Sequence, residues 1–366
     1  MKITDLSITL HNWDVPPVNY TGTAAGGIKE VGVVTIVTDA GIEGHSFLGT
    51  SSQGADEFLH EVIGRLKPLV MGRDPLDIGA IWQAMWARNR LASMRSICAI
   101  DVALWDIAGK AANLPLHRLL GTYRDRAPAY ASSAVMSTPE EYAEEALSFR
   151  ERGWQAYKIH PPRNPKRDIA VCEAVKKAVG DTMVLMLDST WTYGYEDALR
   201  VGLAIQEMGY YWYEDPLAED DLYNYVKLKS KLDIPILATE HSPGGMYGYT
   251  PWITEQATDM LRGDVAVKGG ITPMVKICHL AEAFRMKCEI HHGGNSLNNV
   301  ANLHITMAVP NCEYFEVLLP DSAQKHGLVN DITVDAEGFV HAPSGPGLGY
   351  EIDWELIKRN QTRIVR

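Results

Sequence analysis

The chain is poor in cysteine, with five in 366 residues (Cys98, Cys172, Cys278, Cys288 and Cys312). They are scattered, odd in number and form no CxxC, which excludes a disulfide framework and a cysteine-type zinc site. Free thiols point to a reducing, cytoplasmic compartment. Basic residues are also short: 34 Lys plus Arg against 46 Asp plus Glu, a formal charge of −12. Without basic runs, nucleic acid and anionic membrane are not expected partners. No apolar stretch exceeds strand length, so no transmembrane helix is expected. The opening MKITDLSITL alternates apolar and polar residues, unlike a signal peptide. Low-complexity segments are absent. What remains is 46% apolar and 22% charged, a folded composition in a length suited to two domains or one enlarged barrel.

The first third reads as α+β. Residues 2–10 alternate like a half-buried strand, and 30–38 and 41–48 form two more around the turn Thr38-Asp39-Ala40-Gly41. Helical patterns cover roughly 53–67, 76–90 and 94–112, the last ended by Asn113 and Pro115. From about residue 125 the rhythm changes. Apolar runs at 156–160, 184–188, 210–214, 236–240, 261–264, 287–291 and 314–316 end in ionisable residues 24 to 28 positions apart. Amphipathic stretches at 165–179, 196–208, 222–231 and 273–284 lie between them, and 129–132 supplies one strand more. Eight strand–helix units predict a parallel (β/α) barrel whose last helix is missing or displaced.

Barrel active sites are built at the C-terminal strand ends. Those ends carry His160, Asp188, Glu214, Glu240, Asp264, His291 and Glu316. A single strand-end carboxylate is ordinarily a helix cap or ion-pair partner. Three on successive units, Asp188, Glu214 and Glu240, would repel each other without a cation. An all-carboxylate set favours one Mg2+ per subunit over Zn2+. Asp264 and His291 sit on neighbouring strand ends, where a carboxylate fixes the imidazole tautomer and raises its basicity. Lys158 and His160 alternate on one strand and both face inward, across from His291. Opposed bases around a metal suit proton abstraction next to a carboxylate. His292 is read as a core residue and Lys268 as a loop charge.

These residues bring a family into view. The run Ile97-Cys-Ala-Ile-Asp-Val-Ala-Leu-Trp-Asp-Ile-Ala-Gly-Lys110, with Leu114-Pro-Leu and Leu119-Leu-Gly121, resembles the helix leading into the barrel of the mandelate racemase subgroup of the enolase superfamily. Leu185-Met-Leu-Asp188, Trp212-Tyr-Glu-Asp-Pro216, Ala238-Thr-Glu240, Gly263-Asp264 with Lys268-Gly-Gly-Ile-Thr272, and Glu289-Ile-His291 follow in the family's order. The resemblance implies an α+β capping domain, made from residues 1–125 and the tail 323–366, over a modified (β/α)7β TIM barrel at 126–322. It implies Mg2+ on Asp188, Glu214 and Glu240, the Asp264–His291 dyad, and Glu316 against the substrate, with Glu313 the weaker candidate. Assembly into dimers or octamers is implied as well.

Four positions depart from the family pattern. Lys158-Ile-His160 replaces Lys-x-Lys, so Lys158 or His160 must serve as the base on that strand. Thr190 stands where Asn is common, Arg262 precedes Gly263-Asp264, and Gly44-His45-Ser46 replaces Gly-x-Gly-Glu. His45 is a candidate to reach substrate from a capping loop, against a plain loop role, and Thr190 is a further substrate-binding candidate. Hydroxyls and amides near the strand ends (Ser132, Ser133, Ser189, Thr239, Asn295, Asn298) suit a polyhydroxy carboxylate. The leading expectation is dehydration of an acid sugar, aldonate or aldarate, to a 2-keto-3-deoxy acid. A base near Lys158/His160 and His291 as acid, or a syn elimination through His291 alone, would serve. Racemisation, epimerisation and cycloisomerisation use the same site. A zinc barrel hydrolase lacks its His-x-His in Ala131-Ser132-Ser133, and a non-catalytic relic would not keep every ligand and base. Specificity is assigned to capping loops near 15–30 and 45–55.

Overall fold

The computed structural model describes residues 1–366. Strands β1 (Ile3–Asn19), β2 (Ala24–Thr38) and β3 (Glu43–Leu48) form an antiparallel capping sheet. Alternation of Leu6, Ile8 and Leu10 with polar residues buries one face of β1. The stretch 15–30 is not a loop but the distal half of a long hairpin. Pro16 and Pro17 sit inside β1 because its register with β2 shifts between Val15 and Val18, where no ladder bond is required of them. The helix Met94–Ala112 covers the buried face; the Ser93 hydroxyl accepts from Ser96 N–H, and Asn113 ends it at φ 53°. Gly44 permits that packing, since a Cβ there would lie 2.1 Å from Ala103 O. The expected helix at 53–67 is a 3-10 turn, a π-helical stretch and a short α-helix in succession, and that at 76–90 shortens to Ile78–Trp86.

Eight parallel strands follow: β4 (Arg126–Ser132), β5 (Ala156–Ile159), β6 (Val184–Asp188), β7 (Trp212–Glu214), β8 (Ile236–Ala238), β9 (Met260–Gly263), β10 (Lys287–Ile290) and β11 (Phe315–Leu318). They run in order β10-β9-β8-β7-β6-β5-β4-β11, a nearly closed barrel. Outward residues such as Tyr157, Leu187 and Ile236 pack on the surrounding helices in the main core. Inward residues stack in layers. The lower layer is apolar: Tyr130, Ala156, Met186, Trp212, Leu237 and Met260. Two residues further along, the same faces carry Lys158, Asp188, Glu214 and Arg262. Strand periodicity thus sets a charged layer directly on a dry plug.

The C-terminal segment serves both sheets. β12 (Phe339–His341) pairs with β4, while β13 (Gln361–Val365) pairs with β1. The long helix is tied to the barrel through Asp101, which accepts from Thr272 N–H at 3.0 Å and its hydroxyl at 2.6 Å, and through Trp105 Nε1–H to Thr272 Oγ1 at 2.9 Å. No helix is long and apolar enough to cross a membrane.

Candidate active site

The charged layer is a closed ion network. Lys158 Nζ, fully buried, lies 3.2 Å from Asp188 Oδ2, 3.1 Å from Glu214 Oε2 and 2.8 Å from Glu316 Oε1. Arg262, also fully buried, sets Nε 2.5 Å from Glu214 Oε1 and 3.2 Å from Glu240 Oε2, and Nη2 2.6 Å from Glu316 Oε2. Burial works against the Lys158 charge, and repulsion from Arg262 adds to that; Glu214 and Glu316 outweigh both and hold the ammonium well above its ordinary value. Lys158 is thus the cationic partner of three carboxylates in this network.

Four carboxylates face these two permanent cations, and burial together with repulsion from Asp188 and Glu316 pushes Glu214 up to about 8. Asp215 adds a further carboxylate, fully buried, with neither oxygen hydrogen-bonded. Glu214, Asp215 and Glu240 each offer an oxygen within 4.8 Å of the others. An orphaned buried carboxylate and an all-oxygen donor set whose members repel one another fit a hard divalent cation such as Mg2+. The sequence-derived trio differs in one member. Asp188 leans toward Lys158 and toward His160, whose Nε2 lies 3.1 Å from its Oδ2, and Asp215 stands closer to the other two.

Positive φ at Thr190 (46°), Trp191 (57°), Asp215 (41°) and Thr239 (90°) turns the chain sharply after three successive strands. Such strain gathers where a site over-determines the backbone. Thr190 N–H donates to Asp188 Oδ1 at 2.9 Å, and the Thr190 hydroxyl is buried without a partner in the cleft wall.

The proton carriers stand around this layer. His291 Nδ1 is 2.5 Å from Asp264 Oδ2, and Nε2 is 3.5 Å from Glu240 Oε1. Burial pushes the imidazole down, but Glu240 and Asp264 outweigh it and raise it to about 9. The Asp264 share of that rise does not depend on what the carboxylate cluster holds. His160 Nδ1 is 2.7 Å from Ser133 O. A carbonyl only accepts, so Nδ1 carries a proton, while Nε2 faces Asp188 Oδ2 at 3.1 Å. Lys158, His160, Thr190, Asp188, Glu214, Glu240, Asp264, His291 and Glu316 thus converge on one mouth. The cleft there encloses about 270 Å3 and is capped by Val18, Tyr20 and Thr21 from the hairpin and Thr50, Ser51 and Ser52 from the segment after β3.

His45 does not join them. Alternation on β3 turns Ser46 toward the long helix, where its hydroxyl donates to Ala99 O, and sends His45 to the other face. There its ring meets Trp354 edge-on at 5.5 Å and Thr35 Oγ1 at 3.2 Å, in a separate crevice with Asp106 and Lys110. Lys268 is buried rather than a loop charge: its ammonium donates to Ser242 O at 3.1 Å. His292 points into the core against Phe315, as expected. Sequence reasoning gave no role to Arg262 or Asp215. Their signal was positional: Arg262 two residues before Asp264, and Asp215 at a strand-to-loop turn.

Two family descriptions match the chain: "Mandelate racemase / muconate lactonizing enzyme, N-terminal domain" over residues 3–121 and "Enolase C-terminal domain-like" over 141–356. An L-talarate/galactarate dehydratase from Salmonella typhimurium is 31% identical over 88% of this chain and 80% of its own. A 3,6-anhydro-alpha-L-galactonate cycloisomerase from Streptomyces coelicolor is 27% identical over 94% and 95%. The structure of D-glucarate dehydratase from Agrobacterium tumefaciens complexed with magnesium superposes with a TM-score of 0.90 at 34% identity, covering 99% of this chain and all of that one. With its barrel, its capping sheet and its ring of strand-end carboxylates, this chain is an enzyme of the mandelate racemase group of the enolase superfamily.

Proposed function

We propose that the protein dehydrates an acid sugar to a 2-keto-3-deoxy acid. The observation that carries the reading is the pairing of His160 with the Asp264–His291 dyad around one hydroxyl-lined cleft. Mg2+ bound by Glu214, Glu240 and Asp188 or Asp215 supplies Lewis-acid stabilisation of the charge that builds on the substrate carboxylate. Lys158 contributes a fixed positive charge beside it. His160 takes the α-proton at Nε2 once Asp188, 3.1 Å away here, is drawn off to the metal, while Nδ1–H to Ser133 O holds the ring in place. His291, oriented by Asp264 at Nδ1, gives its proton to the β-hydroxyl, which leaves as water. The Cα–H electron pair becomes the Cα=Cβ bond, and the resulting enol tautomerises to the ketone. The unpartnered Thr190 hydroxyl is a ready contact for a substrate hydroxyl.

The test is a screen of acid sugars with the Mg2+-loaded protein, reading 2-keto acid by its semicarbazone. Configurational change or ring closure without keto acid would transfer the site to epimerisation or cycloisomerisation. The cycloisomerase relative keeps that second reading specific.

A further inference from the structure

On the capping side of the cleft one strong cation faces inward. Arg95 lies in the first turn of the helix Met94–Ala112, is half-buried and lines the cleft. The docking of that helix through Asp101 and Trp105 onto Thr272 fixes where Arg95 stands. Carboxylates nearby already have partners. Asp264 accepts from His291 through one oxygen and from Val267 N–H through the other. Glu61 accepts from Ser93 and Ser96, and Glu240 and Glu316 belong to the Arg262 network. The Arg95 charge still reaches Asp264, whose carboxyl it helps hold low, so the guanidinium overlooks the dyad without bonding to it.

An unpaired, partly desolvated guanidinium is costly unless something planar and anionic meets it. The same cleft is lined by the unpartnered hydroxyl of Thr190 and by Thr50 and Ser51. The cleft thus offers cationic binding at its floor, a polyol wall, and a second cation at its rim. We propose that Arg95 binds a second, distal carboxylate, so that the substrate is an aldarate and not an aldonate. This rests on the acid-sugar reading above and narrows it.

The experiment separates binding from turnover. Mg2+-loaded His291→Asn protein, which cannot complete elimination, is titrated calorimetrically with six-carbon aldarates and the aldonates of the same configuration. The same is done with Arg95→Gln and Arg95→Lys added, each checked for an unchanged thermal midpoint. A bidentate charge-assisted pair predicts that the aldarate binds about 30-fold tighter than its aldonate when Arg95 is present. The ratio should fall to about one with Gln and be partly kept with Lys, which holds the charge but not the fork. Equal affinities in the Arg95 protein, or a ratio that survives Arg95→Gln, overturn the proposal; the second result would leave Arg95 as a neighbour that only tunes the dyad. Keto-acid formation from aldonates alone would sink this inference and spare dehydration. An Arg95-dependent preference in a protein that forms no keto acid would do the reverse.

Discussion

Replacing Lys158 by Met tests the charged layer at its most connected point. The side chain is completely buried and its ammonium lies within 3.2 Å of Asp188, Glu214 and Glu316. Methionine fills similar volume, so the perturbation is chiefly the loss of one charge. Breaking a buried ion pair by removing one partner costs about 3–5 kcal/mol, because the remaining charge is left uncompensated. At roughly 2–4 °C per kcal/mol for a mid-sized domain, and less for a longer chain, the metal-free variant should melt about 6–10 °C below the wild type. Added Mg2+ should raise the variant's midpoint further than the wild type's, since a divalent cation takes over part of the neutralisation. Scanning calorimetry at neutral pH, with chelator and then with Mg2+, reads both effects. A metal-free variant that melts with the wild type, or equal gains from Mg2+, would refute the view of Lys158 as a structural counter-charge. Exchange of the α-proton with D2O should also cease, because the charge beside the substrate carboxylate is gone.

Three further outcomes follow from the same geometry. His291→Asn should block loss of hydroxide yet leave α-deuterium incorporation measurable by NMR; loss of exchange there, with exchange kept in His160→Gln, would make His291 the base and point to syn elimination. His291 acts as an acid, so kcat should fall as pH rises through its pKa, and Asp264→Asn, which removes a carboxylate that raises that pKa, should move the fall to lower pH; an unmoved limb would assign it to another group. His45→Ala should keep kcat/KM within about twofold, because the ring faces Trp354 and not the cleft, while losing about 1–2 kcal/mol of stability in urea titration through its lost packing and hydrogen bond.

The barrel was legible because its signal is redundant. Seven apolar runs at near-constant spacing, each ending in an ionisable residue, leave little freedom in strand assignment, and His160, Asp188, Glu214 and His291 fall where that spacing puts them. The distal half of the long hairpin, between residues 10 and 30, was not legible. Pro16-Pro17 and the glycines at 22, 26 and 27 read as loop chemistry, and only the bulged pairing with β2 makes them compatible with strand. His45 was misread for a related reason. One step along β3 reverses the face, and sequence alone does not say which face the helix takes. Arg262 escaped because its meaning lies in distances to Glu214, Glu240 and Glu316, which are separated from it by 22 to 54 residues.

The separation between floor and rim has a consequence for how this protein tolerates change. The floor residues Lys158, Glu214 and Arg262 are completely buried and mutually bonded, so a substitution at one is felt by the others and by the apolar plug beneath. The rim positions Thr21, Ser52 and Arg95 are half-buried or exposed and lie on the cap, outside the ion network. Substitutions at such positions ordinarily move stability by only about 0.5 kcal/mol either way. A mutant library confined to the rim can therefore sample new substrates at almost undiminished yield of folded protein, whereas a library that reaches the floor loses most of its members before selection begins.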